Sequence, residues 1–236
     1  MNRIALMVLR NLHRVPGKLG KLWHYAKNTD KYPEQEKWSL IHEIMGYAVK
    51  AGNVELQVYG RENIPAEDGM LLYANHQGMF DVVALAGDWE RPLAAVLKKE
   101  LGEVPLLKQI RECTYSYLMD REDVRQSLTV IKAVSEEVAK GRNFLIFPEG
   151  TRSKNGNVMG EFHGGSFKAA LKAKCPIVPL CFIDCFKVLD QKGSKPVAVQ
   201  MHYLKPIPYE EYKDMKTVEI AALVKSRIQE VLDTHA

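Results

Sequence analysis

A histidine and a carboxylate stand five residues apart in the run Tyr73-Ala74-Asn75-His76-Gln77-Gly78-Met79-Phe80-Asp81, where an apolar segment gives way to helix-forming sequence. On one continuous helix, residues five apart diverge by about 140° and their side chains do not meet. The pair is productive only if His76 lies in a turn and Asp81 in the first turn of the following helix. Gly78 allows such a bend, and a carboxylate suits the positive end of a helix. Asp81 can then accept a hydrogen bond from one imidazole nitrogen and leave the other free to take a proton. Histidine side chains titrate near about 6.5, close to neutral pH. A second polar cluster, Phe147-Pro148-Glu149-Gly150-Thr151-Arg152, follows another apolar segment. A base and an arginine-bearing loop suggest base-assisted chemistry on an anionic substrate.

The protein nucleophile that usually accompanies such a base is missing. Gly164-Gly165-Ser166-Phe167-Lys168 fails the GxSxG pattern at its last position, and P-loop, GxGxxG and HExxH runs do not occur. A base without a nucleophile of its own points to a substrate hydroxyl as the attacking group. His13, His24, His42, His202 and His235 lack a comparable setting and read as surface or helix-face residues.

The elements that must position these groups alternate from residue 54 onward. Strand patterns cover 54–59, 69–74, 93–97, 114–118, 143–147, 176–182 and 197–203. Helical patterns cover 81–88, 104–112, 124–140, 166–173 and 217–232, the third with Leu128, Ile131, Val134 and Val138 on one face. This predicts an α/β fold: a mixed, mostly parallel sheet covered by helices on both faces. In such sheets polar sites gather at strand ends, where both clusters fall.

Ahead of this body, residues 1–52 read as an amphipathic two-helix segment, with residues 53–236 as the α/β domain. Val8, Leu12, Val15, Leu19, Leu22 and Ala26 form one helical stripe, with Arg3, Arg10, Arg14, Lys18 and Lys21 opposite; Pro16-Gly17 is expected to kink or split it. A second stripe comprises Trp38, Ile41, Ile44, Met45, Ala48 and Val49. Residues 1–28 hold six basic residues and no acid, in a chain whose net charge is only +4. Two readings are open: helices packed on the domain, or a pair lying on an anionic membrane surface. That balance and the lack of interleaved aromatics argue against nucleic acid. No run reaches the length of a membrane span, and Arg10 ends the short run Ile4–Leu9 too early for a secretory signal. The four cysteines lack metal-site spacing and read as buried thiols.

Taken with their order and spacing, these blocks resemble the lysophosphatidic acid acyltransferase family, the 1-acyl-glycerol-3-phosphate acyltransferases. The resemblance rests on Asn75-His76 with Asp81, on Phe147 to Arg152, on Tyr117-Leu118-Met119-Asp120-Arg121, on Ile177-Val178-Pro179-Leu180, and on the lysine block Val96-Leu97-Lys98-Lys99-Glu100-Leu101. It covers roughly residues 54–210. It implies acyl transfer from acyl-CoA or acyl carrier protein to the sn-2 hydroxyl of lysophosphatidic acid, with no cofactor or metal, at the cytoplasmic face of the cell membrane. His76 would be the general base and Asp81 its orienting group. Arg121 and Arg152 would bind the glycerol phosphate, and Lys98 would add a charge. Glu149 and Thr151 would position glycerol oxygens or the loop, and Gly150 would let backbone approach the substrate.

One position departs from the family. A Phe-Lys-x-Gly run commonly follows the third motif, and here it reads Phe162-His163-Gly164-Gly165. If that position meets phosphate, binding should weaken as the imidazole loses its proton. Another lysolipid acceptor, or a non-catalytic lipid-binding scaffold, are the alternatives that the resemblance leaves.

Overall fold

The computed structural model describes residues 3–236. Three helices come first: α1 (Arg3–Asn11), α2 (Val15–Lys27) and α3 (Glu34–Ala51). The body then runs β1 (Val54–Tyr59), β2 (Leu71–Ala74), α4 (Phe80–Asp88), β3 (Leu93–Lys98), α5 (Leu107–Thr114), β4 (Tyr117–Met119), α6 (Val124–Ala139) and β5 (Asn143–Ile146). It closes with α7 (Lys168–Ala173), β6 (Ile177–Ile183), α8 (Phe186–Leu189), β7 (Val197–Tyr203), α9 (Tyr209–Tyr212) and α10 (Thr217–His235). Among the described residues the strands form one seven-stranded sheet, in the order β1-β7-β6-β2-β5-β3-β4. Every neighbouring pair is parallel except β6 with β7. The mixed, mostly parallel sheet is the one that the alternating pattern predicts.

Side chains alternate across a strand, so each central strand feeds two cores. Leu72 and Ala74 of β2, with Val178, Leu180 and Phe182 of β6, face one layer; Leu71, Tyr73, Ile177, Cys181 and Ile183 face the other. Residues of β2, β5 and β6 are buried throughout, as strands covered on both faces must be. The second layer is closed by α6 through Val130, Ile131, Val134 and Val138 and by α10 through Ile220, Val224, Ile228 and Leu232. The first layer is closed by Leu22, Tyr25, Trp38, Ile41, Ile44 and Val49, so α2 and α3 share the core of the sheet. No helix among the described residues is long and apolar enough to cross a membrane.

Four of the leader's six basic residues are engaged by the rest of the protein, while Arg14 and Lys27 are exposed. Arg3 is buried, donating from Nη1 to the Gly52 carbonyl at 2.6 Å and from Nη2 to that of Lys195 at 2.9 Å. Arg10 reaches the Ala51 carbonyl at 3.1 Å, so two guanidinium groups meet the negative end of α3. Lys18 pairs with Glu43 at 2.7 Å and Lys21 with Glu36 at 3.7 Å. Turning the charges inward turns the other face outward, and Val8, Leu9 and Leu12 are more than half exposed. The helix break falls before Val15, with Pro16 in the first turn of α2, where its missing N–H has no partner to lose.

All four cysteines are buried and free. Burial pushes the Cys113 thiol up to about 11 and that of Cys175 to about 12, and raises Cys181 and Cys185 as well.

His202 corrects the expectation of a surface histidine. It is buried on β7, stacked on Tyr59 at 4.6 Å and facing the His235 ring at 5.0 Å. Desolvation, then the His235 charge, push its pKa down to about 4. The folded protein therefore binds fewer protons at this residue than the unfolded chain between about pH 6.5 and 4. Its contribution to stability should be full above that window and fall with acidification, by up to about 1.4 kcal/mol per pH unit. Urea titrations across pH 4–7 check this: His202→Gln should flatten the slope, and an unchanged slope would rule the residue out as its source.

Candidate active site

The site begins where β2 ends. Beyond Ala74, the Asn75 carboxamide continues the strand pairing: its Oδ1 accepts from the Phe182 N–H at 2.7 Å and its Nδ2 donates to the Phe182 carbonyl at 2.9 Å. A side chain thus replaces one backbone rung and lets the chain turn while β6 stays saturated. His76 is the first residue past that rung. Its N–H donates to Glu149 Oε1 at 2.8 Å, and its carbonyl accepts from the Ser153 N–H at 2.8 Å. Its ring stacks on Phe147 with centroids 4.0 Å apart. The two polar clusters of the sequence therefore meet at one residue.

Asp81 sits in the first turn of α4 with no exposed surface. Its Oδ2 lies 2.8 Å from His76 Nδ1 and accepts the N–H groups of Gln77 at 2.7 Å and Gly78 at 3.0 Å. Gly78 leaves room there for the Asp190 carboxylate and the Phe186 backbone, which a Cβ would crowd. Asp81 Oδ1 is buried without a hydrogen-bond partner. Burial raises the Asp81 pKa, while His76 and the two backbone amides pull it back. An ionised Asp81 makes Nδ1 the protonated nitrogen and leaves Nε2 with its lone pair.

Glu149 is also buried, and its two oxygens each accept one backbone N–H, from His76 and, at 2.7 Å, from Gly160. Burial raises its pKa against those two bonds. Its contacts are with the loop, one of the two roles the sequence suggests for it.

Next to Phe147 opens a cleft of about 570 Å³. Its apolar wall includes Val96, Met119, Leu128, Ile131 and Ile146, and its polar rim includes Arg121, Glu149, Gly150, Thr151, His163 and Lys168. Such a lining suits a molecule with an aliphatic tail and an anionic head. Arg121 has no ion pair or hydrogen bond among the described residues, and burial lowers its pKa against the pull of Glu100. Gly150, at φ +68°, packs beside His163 and Arg121: a Cβ there would lie 3.6 Å from His163 Cδ2 and 3.9 Å from Arg121 Cδ. The position where a lysine is common is therefore a cleft residue.

The other two predicted cations lie outside this lining. Lys98 pairs with Glu100 at 2.8 Å. Arg152 pairs with Asp190 Oδ1 at 2.6 Å, and Asp190 Oδ2 also accepts the Met79 N–H at 3.1 Å. Sequence reasoning missed Lys168, the Phe147 stack and the apolar wall. The i, i+4 and i, i+7 spacing of Val124, Leu128 and Ile131 marks a helix face but does not say that a cleft runs along it.

The family profile described as "Acyltransferase" matches residues 55–183. A Salmonella typhimurium protein named 1-acyl-sn-glycerol-3-phosphate acyltransferase is 31% identical over 178 residues, covering 74% of this chain and 72% of its own. A Helicobacter pylori protein of the same name is 34% identical over 122 residues, and there the match spans 52% of each chain, about half of that relative's length. The crystal structure of the 1-acyl-sn-glycerophosphate (LPA) acyltransferase from Thermotoga maritima shares the fold, with TM-score 0.73 over 85% of this chain and 80% of that one, at 22% identity.

Glu149→Gln tests the loop tie. A glutamine has one oxygen for two N–H donors and turns its NH₂ toward one of them, so a loss of about 1–3 kcal/mol is expected. Chemical denaturation measures it; a midpoint equal to that of the parent would show that the two bonds do not hold the loop.

Proposed function

Because the chain belongs to the 1-acyl-sn-glycerol-3-phosphate acyltransferase family of acyltransferases, we propose that it transfers an acyl group from a thioester of coenzyme A or acyl carrier protein to the sn-2 hydroxyl of lysophosphatidic acid. The observation that carries this reading is the 2.8 Å contact of His76 Nδ1 with fully buried Asp81, which leaves Nε2 free. Nε2 takes the proton of the sn-2 hydroxyl as its oxygen attacks the thioester carbonyl. The resulting tetrahedral adduct expels the thiolate, and the imidazolium returns the proton to that sulfur. Atoms and charge balance without a covalent acyl-enzyme or a further cofactor, with the substrate oxygen in the place of a serine. Asp81 favours the forward proton transfer, since a buried carboxylate with one unsatisfied oxygen gains most from an adjacent cation.

Arg121, unpaired at the cleft rim, is the first candidate for the phosphate of the acceptor, with His163 and Lys168 beside it. Gly150 and Thr151 line the same rim. Arg152 and Lys98 reach a phosphate only by sharing their charge with Asp190 and Glu100. The apolar wall accommodates an acyl tail.

Acyl transfer by the purified protein tests the reading, with lysophosphatidate compared against other lysolipids. His76→Ala should lower turnover by about 10²–10⁴. Near-parental rates in that variant would exclude His76 as the base.

The same reading places the protein peripherally at the cytoplasmic face of a membrane, held by the outward apolar side of α1. Deleting residues 1–50 would strip Leu22, Trp38 and Ile41 from the core, so the cleaner variant is Val8→Asp with Leu12→Asp. Co-sedimentation with anionic vesicles should fall several-fold while the acyltransferase fold is retained. Unchanged binding would exclude this face as the docking surface.

A further inference from the structure

We propose that Asn157 and Asp184 are positioning residues for His76, acting through the Gln77 carboxamide. The inference rests on the reading of His76 as the base. Gln77 follows that residue, is 3% exposed, and gives its backbone N–H to Asp81 Oδ2. Its side chain leaves the turn in the opposite sense. Oε1 accepts the Cys185 N–H at 2.9 Å, and Nε2 donates to Asn157 Oδ1 at 2.6 Å.

Asn157 joins three segments. Its Oδ1 also accepts the Asp184 N–H at 3.0 Å, and its Nδ2 donates to Asp184 Oδ1 at 3.0 Å. Asp184 Oδ2 receives Lys187 Nζ at 2.7 Å, and Asp184 itself stands at φ +65°, where asparagine and aspartate are the best tolerated side chains after glycine. This bonding fixes the sense of both carboxamides, because each oxygen faces N–H donors and the Asn157 NH₂ faces a carboxylate. Alanine at 157 would leave the Gln77 NH₂, the Asp184 N–H and the Asp184 carboxylate each short of a partner. Aspartate there would set two carboxylates against each other.

What the network holds is a loop. Residues 147–163 contain no helix or strand, yet they supply Phe147, Glu149 and Ser153 to the His76 segment. Asn157 is a second attachment, further along the loop. Gly156 lets the loop turn there, at φ +65° with space for a Cβ only 3.0 Å from the Phe186 ring. With the Asn157 tie intact, residues 76–78 are held by Glu149 and Ser153 at His76 and by Asn157 and Cys185 at Gln77. Without it, the Gln77 carboxamide keeps only the Cys185 N–H as a partner, and the segment that aims the ring at Asp81 can shift. Misplacements of about 1 Å in a reacting group cost up to about 10²-fold in rate.

The test is a charge-swap series on the full chain: Asn157→Ala, Asn157→Asp, and Asn157→Asp with Asp184→Asn. In the double variant the carboxylate and the carboxamide exchange places, so the bonds among residues 77, 157 and 184 are remade with the same net charge, and Lys187 keeps a neutral acceptor in place of its ion pair. The expected result is that kcat for lysophosphatidate acylation falls about 10- to 100-fold in both single variants, while KM stays within about threefold. The double variant should return kcat to within about threefold of the parent. The ¹⁵N imidazole signals of His76 should show the Nδ1-protonated tautomer weakened in Asn157→Ala and restored in the double variant. Because this signal requires no substrate, it tests the positioning even if the parent fails to acylate lysophosphatidate and the functional reading falls. Parental kcat in Asn157→Ala, unchanged His76 signals in that variant, or no recovery in a folded double variant would each overturn the proposal.

Discussion

A carboxylate with no access to water must be held by what surrounds it, and Asp81 sets that requirement for the whole active end of the sheet. Burial raises its pKa. The imidazole of His76 and the amides of Gln77 and Gly78, all on one of its oxygens, oppose that shift, and the buried Cys185 thiol lies beside the same carboxylate. The arrangement is under-compensated in the resting state and better compensated when His76 carries a proton.

Holding that pair requires three strands to end together. Asn75 hands the chain from β2 to the turn without breaking the pairing with β6, and Glu149 reaches from the loop after β5 to the His76 amide. Parallel strands bring these ends to one edge of the sheet, and the helices that return the chain close both faces behind them. The same side chains thus terminate the sheet and assemble the site. The layer formed by α2 and α3 underlies the first core, so the leader is also part of what keeps the strand ends in place.

Much of this was legible in local pattern. Alternation marked β1 and β7 to the residue, and the turn requirement at Gly78 placed His76 and Asp81 together before any geometry was available. Pattern was less informative where the answer depends on what covers a surface. The leader's stripe was visible, but not that Arg3 and Arg10 would cap α3 and leave Val8 and Leu12 outside. His202 lies opposite the buried Val199, Met201 and Tyr203 in the alternation, and the rings of Tyr59 and His235 pack against it. The helix expected from residue 104 starts at Leu107, after Leu106 at φ +72°. Polar ties such as Gln77 to Asn157 join residues 80 apart and leave no local signature.

The burial of the cysteines has a consequence for a protein that handles acyl thioesters, as this one is proposed to do. A thiolate is the natural rival of a substrate hydroxyl, because it captures an acyl group by simple exchange of one thioester for another. Here Cys185 lies near enough to Asp81 for the carboxylate charge to raise its pKa beyond what burial does, and Cys113 and Cys175 are held at about 11 and about 12. At neutral pH the buried thiols stay protonated. In an enzyme that uses such a donor, an interior of this kind keeps the protein's own sulfur from competing with the acceptor's oxygen.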